Sequence, residues 1–226
     1  MVQAFVLSVR QLGDPAILRV LGKSLAVTLA LLATFGAALW FAARGTALWL
    51  GADAGGSLLA GLAGVIAGIA LGWLIFRAIA IAVVGLFADE VVAAVEARHY
   101  PEALRTARAV PFVRSLAMGA RSGVRAILFN LLAAPFYLVL LVTGVGTAIG
   151  FFAVNALLLG RDLGDMVAAR HMAPAELPAF RAATRASRVL LGAAGTALLL
   201  VPFVNLFAPV LGAAMATHRF HRRPAR

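Results

Sequence analysis

The amino-acid sequence predicts an all-α integral membrane protein: two long transmembrane helices, two partly penetrating or re-entrant helical hairpins, and amphipathic interfacial helices. Three observations predict it. The 226-residue chain is 63% hydrophobic and only 13% charged, with a mean hydropathy of +0.98, more apolar surface than a compact soluble core of this size can hide. It nevertheless carries twenty Lys and Arg against nine Asp and Glu, a net charge of +11. Its charges are also bunched, leaving four long uncharged stretches, and a membrane-spanning helix needs about 20 mostly apolar residues. A soluble nucleic-acid binder would account for the charge but not for the hydrophobicity, and the apolar excess excludes disorder. Basic loops around membrane helices account for both. With no cysteine, a disulfide framework, a cysteine-ligated iron–sulfur cluster and a cysteine nucleophile are excluded.

Residues 1–23 read as an amphipathic entry and an elbow. Val2, Phe5, Val9 and Leu12 share one helical face and Gln3, Arg10 and Gln11 take the other. Gly13-Asp14-Pro15 breaks the chain and starts a second helix, with Asp14 as N-cap and Pro15 in the first turn. Residues 24–43 and 54–76 are uncharged runs of twenty and twenty-three, the right length for single spans. Trp40 and Trp49 flank the short link between them as interfacial aromatics. Ala60, Gly64, Gly68 and Gly72 line one face of the second span, spacing suited to close helix packing.

Residues 77–125 form a basic linker in which Arg114, Arg121 and Arg125 project from one side. The uncharged stretch 126–160 holds thirty-five residues, roughly 52 Å as one helix against a hydrocarbon core of about 30 Å, so it must bend. Pro135 and Gly144-Val145-Gly146 are the candidate breaks. A hairpin that enters and turns back is as compatible with the arm lengths as two crossings. Residues 161–188 are a second basic linker with the stripe Arg181, Arg185, Arg188. Residues 189–217 repeat the hairpin design, with Pro202 and Pro209 bracketing Asn205, and 218–226 are a basic tail. VVAAVEARHYPE at 91–102 and MVAARHMAPAE at 166–176 form a faint internal repeat.

The whole of 1–226 is read as one membrane domain. Nineteen of the twenty basic residues fall in 1–23, 77–125, 161–188 and 218–226, and only Arg44 lies elsewhere. If both hairpins return to the side they left, all four basic regions share one face, which the positive-inside rule makes cytoplasmic, with both termini inside. A cleavable signal peptide is not expected, because the first apolar run begins only after residue 23 and is longer than an h-region.

Little in the sequence points to catalysis. His99, His171, His218 and His221 form no HExxH or comparable pairing and read as surface histidines beside arginines. Asp162/Asp165 and Asp89/Glu90 read as partners of nearby arginines rather than as acid–base or metal pairs. The Gly-rich stretches lack a P-loop lysine, so nothing supplies nucleotide coupling, and the uncharged cores offer no buried carboxylate for proton coupling. An enzyme, a cofactor and a nucleic-acid partner are therefore not expected. A basic face does concentrate small anions. The place that best suits one is the Asp14–Lys23 elbow, where helix-start N–H groups lie below Arg19 and Lys23. The same residues are compatible with a plain capped helix whose basic side chains snorkel.

The amphipathic start, the break and arginine at 13–19, the two spans, the GVG segment at 144–146 and Val201-Pro202-Phe203-Val204-Asn205-Leu206-Phe207-Ala208-Pro209-Val210 together resemble the CysZ-type sulfate transporters of the etoposide-induced-protein superfamily. The resemblance runs through nearly the whole chain. It implies a bacterial inner-membrane protein that assembles as an oligomer in the lipid bilayer and takes up sulfate for cysteine synthesis, channel-like and without nucleotide hydrolysis. The family's sulfate-binding elbow reads Pro-Gly-Leu-Arg-Arg. Here it is Pro15-Ala16-Ile17-Leu18-Arg19, which makes Ala16, Ile17, Leu18 and Arg19, with Lys23 assisting, the sulfate-binding candidates, and only one of the two arginines is kept. The alternative is a membrane scaffold or envelope-homeostasis protein that transports nothing.

Overall fold

The computed structural model describes residues 2–49, 68, 72 and 87–222. The described residues are helical with no strand, in the order α1 (Val2–Gln11), α2 (Pro15–Trp49), α3 (residues 87–99), α4 (Pro101–Thr106), α5 (Phe112–Leu141), α6 (Gly146–His171), α7 (Leu177–Ala183), α8 (Arg185–Leu200) and α9 (Ala208–His221). One-turn 3-10 segments at Pro174–Glu176 and Val204–Leu206 complete the path. The chain divides into two compact units, Met1–Val20 with Gly85–Arg226, and Leu21–Val84. The second expected span, 54–76, lies outside the described residues apart from Gly68 and Gly72, both helical.

Two described helical stretches are long and apolar enough to cross a membrane, Pro15–Ala38 and Val113–Leu141. Both are almost wholly exposed on their units. In a water-soluble protein such helices would be buried, so Ile127, Leu131, Leu132, Phe136 and Val139, each more than half exposed on α5, point to hydrocarbon rather than water. The expected borders at 23/24, 125/126 and 160/161 are not helix ends: α2, α5 and α6 run through them without a break. A charged residue ends an apolar run without ending a helix, because Arg and Lys are good helix formers.

The turn in the 126–160 stretch falls at 142–145. Pro135, the other candidate, sits inside α5, which continues to Leu141. Gly144 takes φ +73°, which glycine adopts freely. The Thr143 hydroxyl donates to the Leu140 carbonyl at 2.6 Å and accepts the Gly146 N–H at 2.8 Å, and the Thr147 hydroxyl donates to the Tyr137 carbonyl at 2.8 Å, tying α6 back to α5.

The first unit's core is the α6–α8 crossing. A Cβ on Gly160 would lie 1.9 Å from the Arg188 carbonyl oxygen, and one on Gly192 would lie 1.8 Å from that of Ala156. Two backbones meet there with nothing between them, the small-residue packing that membrane helices use. α9 closes this pair and is buried from Leu211 to His218. The connection before it includes Phe203 at φ +65°, a left-handed conformation unusual for a side chain of that size, and Pro209 sits in α9's first turn. α1 packs on α9 through Ala4, Ser8 and Gln11, while Val2, Phe5, Val6 and Val9 stay exposed. Its small and polar face is therefore the packed one, and its apolar face is the one left outward, the arrangement expected where the outside is lipid.

Candidate functional site

The elbow forms as expected in outline. Asp14 accepts the Leu18 N–H at its carbonyl, 2.9 Å, and the Ala16 N–H at its carboxylate, 3.4 Å. The same carboxylate pairs with Arg98 of α3 at 3.0 Å. Ala16, Leu18, Arg19 and Lys23 are exposed along α2, whereas Ile17 is 1% exposed and packs inward. The Asp14 carboxylate thus already accepts the Ala16 N–H at this helix start.

A second basic feature was not legible as a unit in the sequence. Arg125 and Phe129 of α5, Val154, Leu157, Leu158 and Arg161 of α6, and Arg185, Arg188 and Val189 of α8 line a cavity of about 320 Å³. Its lining combines five apolar side chains with four guanidinium groups. Asp162 and Asp165 stand beside three of them, Arg125, Arg161 and Arg188. Arg125 and Ser122 bond to Asp162. Arg181 grips Asp165 with three bonds of 2.7, 3.0 and 3.1 Å, leaving Arg161 at 3.7 Å from the same group. Arg188 donates to the Arg181 carbonyl at 2.6 Å. Two aspartates therefore face four arginines, Arg125, Arg161, Arg181 and Arg188. The imbalance shows in the titration of the groups: burial and then the charges of Arg125 and Arg181 hold Arg161 below the usual guanidinium range, and burial together with Arg161 and Arg181 does the same to Arg188 despite Asp165. Direct hydrogen bonds to Asp165 raise Arg181 instead. Burial raises Asp162 in spite of Ser122 and Arg125. A cluster in which arginines repel one another across a cavity favours an anion within it.

All four histidines meet at a third place, against the expectation of scattered surface residues. Glu96 of α3 is fully buried and accepts from three directions: His171 Nε2 at 2.6 Å and His221 Nε2 at 3.1 Å on Oε1, and Arg170 at 3.3 Å on Oε2. His218, also fully buried, lies with Nδ1 2.9 Å from the Tyr100 hydroxyl, and the His99 ring sits edge-on to it at 5.0 Å. Burial would raise the Glu96 carboxyl, but its bonds to His171 and His221 and the charge of Arg170 outweigh that and bring it to about 2. Burial and the charges of His99, Arg222 and His221 bring His218 down to about 4, so its imidazole is neutral. Two signals in the sequence pointed here. The repeat places Ala-Arg-His at 97–99 and 169–171, and His218 and His221 stand three apart on one helical face.

A protein-family model described as Sulfate transporter CysZ/Etoposide-induced protein 2.4 matches residues 4–209. No curated protein sequence matches the chain.

Proposed function

The chain belongs to the sulfate transporter CysZ/etoposide-induced protein 2.4 family, and from that premise we propose that it passes a small inorganic oxyanion, sulfate for preference, across the bacterial cytoplasmic membrane. Membership in a transporter family and the two exposed apolar helices support reading it as a membrane transporter. The finer reading is channel-like uptake that feeds sulfur assimilation and cysteine synthesis, with both termini cytoplasmic.

The observation that carries this reading is the arginine-lined cavity between α5, α6 and α8. Guanidinium groups keep their charge at any physiological pH and present planar arrays of N–H donors matched to the oxygens of a tetrahedral anion. The four lining arginines with Arg181 outnumber the two aspartates and supply the net positive field, and the apolar side chains of the lining strengthen it by lowering the local dielectric. Asp162 and Asp165 temper it. A conducting site must hold its ion strongly enough to admit it and weakly enough to release it, and carboxylates competing for the same guanidinium groups provide that balance. Arg19, with Lys23 and the segment Ala16-Ile17-Leu18, is assigned the earlier step of drawing the anion to the membrane surface. Few spans per protomer are available to enclose an aqueous path, so the path is assigned to a homo-oligomer.

Uptake of radiolabelled sulfate into proteoliposomes made with the purified full-length chain tests the proposal. Uptake above that of empty vesicles is expected, falling about tenfold in Arg161→Gln and severalfold in Arg19→Ala, since one charge-assisted contact is worth roughly 1.4 kcal/mol or somewhat more. Flux equal to that of empty vesicles would remove the transport reading and leave a membrane scaffold or envelope-homeostasis protein.

A further inference from the structure

We infer that Glu96, His171 and His221 form a binding site for a divalent transition-metal cation, zinc by preference. The three side chains come from three separate helices, α3, α6 and α9, and their ligand atoms lie within 4.8 Å of one another. Both imidazoles present Nε2 to the same carboxylate oxygen, at 2.6 and 3.1 Å. In a tetrahedral zinc site with bonds of about 2.0–2.1 Å the ligand atoms stand about 3.3 Å apart. The His221–Glu96 pair is already near that spacing. The His171–Glu96 pair must open by about 0.7 Å from its 2.6 Å hydrogen bond to admit the ion, and the two imidazole nitrogens, within 4.8 Å of each other, must settle to the same spacing.

The donor set selects the ion. Two imidazole nitrogens and one carboxylate suit zinc and its first-row neighbours, whereas magnesium and calcium prefer oxygen ligands throughout. The surroundings are those of a built site. Glu96 is fully buried, His171 and His221 are each about 10% exposed, and the Phe220 ring stacks on His171 with centroids 5.3 Å apart. Arg170 bonds to the other oxygen, Oε2, at 3.3 Å, and so fixes the plane of the carboxylate while leaving Oε1 to the cation, the part an outer-sphere donor plays around zinc. Arg170 also places a positive charge beside the ion. Affinity is therefore expected on the order of micromolar, weaker than that of zinc sites that fold a domain. His218 turns Nδ1 to the Tyr100 hydroxyl and the His99 ring packs edge-on against His218, outside the three-ligand group, which makes His99 the natural control.

The experiment uses the full-length chain, purified in mild detergent through a tag that contains no histidine, stripped with EDTA and titrated with cobalt(II) and then zinc. The expected result is one cobalt per chain with visible absorption of a low-coordinate site, displaced by zinc, and a rise in thermal midpoint on adding zinc. Glu96→Gln, His171→Gln and His221→Gln should each weaken binding at least tenfold, and His99→Ala should leave it unchanged. Wild-type protein that binds less than a tenth of an equivalent overturns the inference without any variant. So does binding that survives all three ligand substitutions, or that falls as far in His99→Ala as in His221→Gln. Sulfate flux enters none of these readouts, so the outcome is independent of the transport reading.

Discussion

At Arg161 stability and function pull apart. Burial and the neighbouring Arg125 and Arg181 work against its charge, and its nearest carboxylate, Asp165, is already held by Arg181. Arg161→Gln should therefore leave the thermal midpoint in detergent nearly unchanged or slightly raised while sulfate flux falls, a separation that a merely structural arginine would not show. Asp165 is the opposite case. Only 6% exposed and bonded to Arg181, it is the carboxylate that keeps the cluster together, and Asp165→Asn should cost about 2 kcal/mol in unfolding free energy, moderated because Arg181 is partly open to solvent. Chemical denaturation followed by helical circular dichroism measures it, and a variant as stable as wild type would show that Arg181 finds other partners. Much at this scale was legible in the sequence: the stripes Arg114–Arg121–Arg125 and Arg181–Arg185–Arg188 stand out on inspection. That Arg125 shares a cavity rim with Arg185 and Arg188 was not, because it depends on how α5, α6 and α8 pack. The cluster of histidines depends on packing in the same way. Each is unremarkable beside its own arginine, and only the meeting of α3, α6 and α9 turns four isolated rings into a cluster around Glu96.

Between elements, the α6–α8 contact is the least forgiving. A methyl on Gly192 would meet the Ala156 carbonyl oxygen at 1.8 Å, and neither helix backbone can move away without opening the other contacts of the crossing. Gly192→Ala should cost about 3 kcal/mol or more, or prevent folding. Gly123→Ala on α5, where nothing lies within 4 Å of the added carbon, should be neutral or stabilising by up to about 1 kcal/mol, because alanine is the better helix former. Thermal aggregation of the two variants side by side checks the contrast, and equal midpoints would mean that the crossing is looser than described. Helix existence was readable from the uncharged stretches, and the turn at Gly144 was one of the two breaks expected. Pro135 was the misleading signal: a proline removes one donor and a long apolar helix tolerates the loss. The small residues singled out in the sequence, Ala60 to Gly72, lie outside the described residues except for Gly68 and Gly72. The stretch Ala156–Gly160–Gly164, with the same four-residue spacing and a demonstrated contact, sat unnoticed beside the charges of the second basic linker.

For the molecule as a whole, the lengths of the uncharged helix segments bear on how deep the two proposed hairpins would go. From Arg125 to its end α5 offers residues 126–141, about 24 Å of helix, and α6 offers 146–160, about 22 Å. α8 has only 189–200 and α9 only 208–217 clear of charge, about 18 and 15 Å. Against a hydrocarbon core of about 30 Å, the α8–α9 pair is too short to reach the far side, and the α5–α6 pair reaches it only if Arg121 and Arg125 are drawn below the headgroups. Arg125 is bonded to Asp162, which fixes one rim of the cavity to the basic end of the hairpin and opposes that descent. Counted from Val113, α5 is long and apolar enough to cross, but only by carrying Arg114, Arg121 and Arg125 into the membrane. Under the proposed hairpin topology both tips therefore stop within it, with the basic ends of α5, α6, α8 and α9 at one surface. The chain has no cysteine, so single replacements report position without background. In intact cells, Val145→Cys and Asn205→Cys should resist a membrane-impermeant maleimide and react once the membrane is dissolved. Under the proposed orientation, with the basic ends cytoplasmic, Arg219→Cys should react only after that side is opened. Ready labelling of Val145→Cys from outside would mean that α5 and α6 cross completely, and the α5–α6–α8 cavity would then belong to a path with a different geometry.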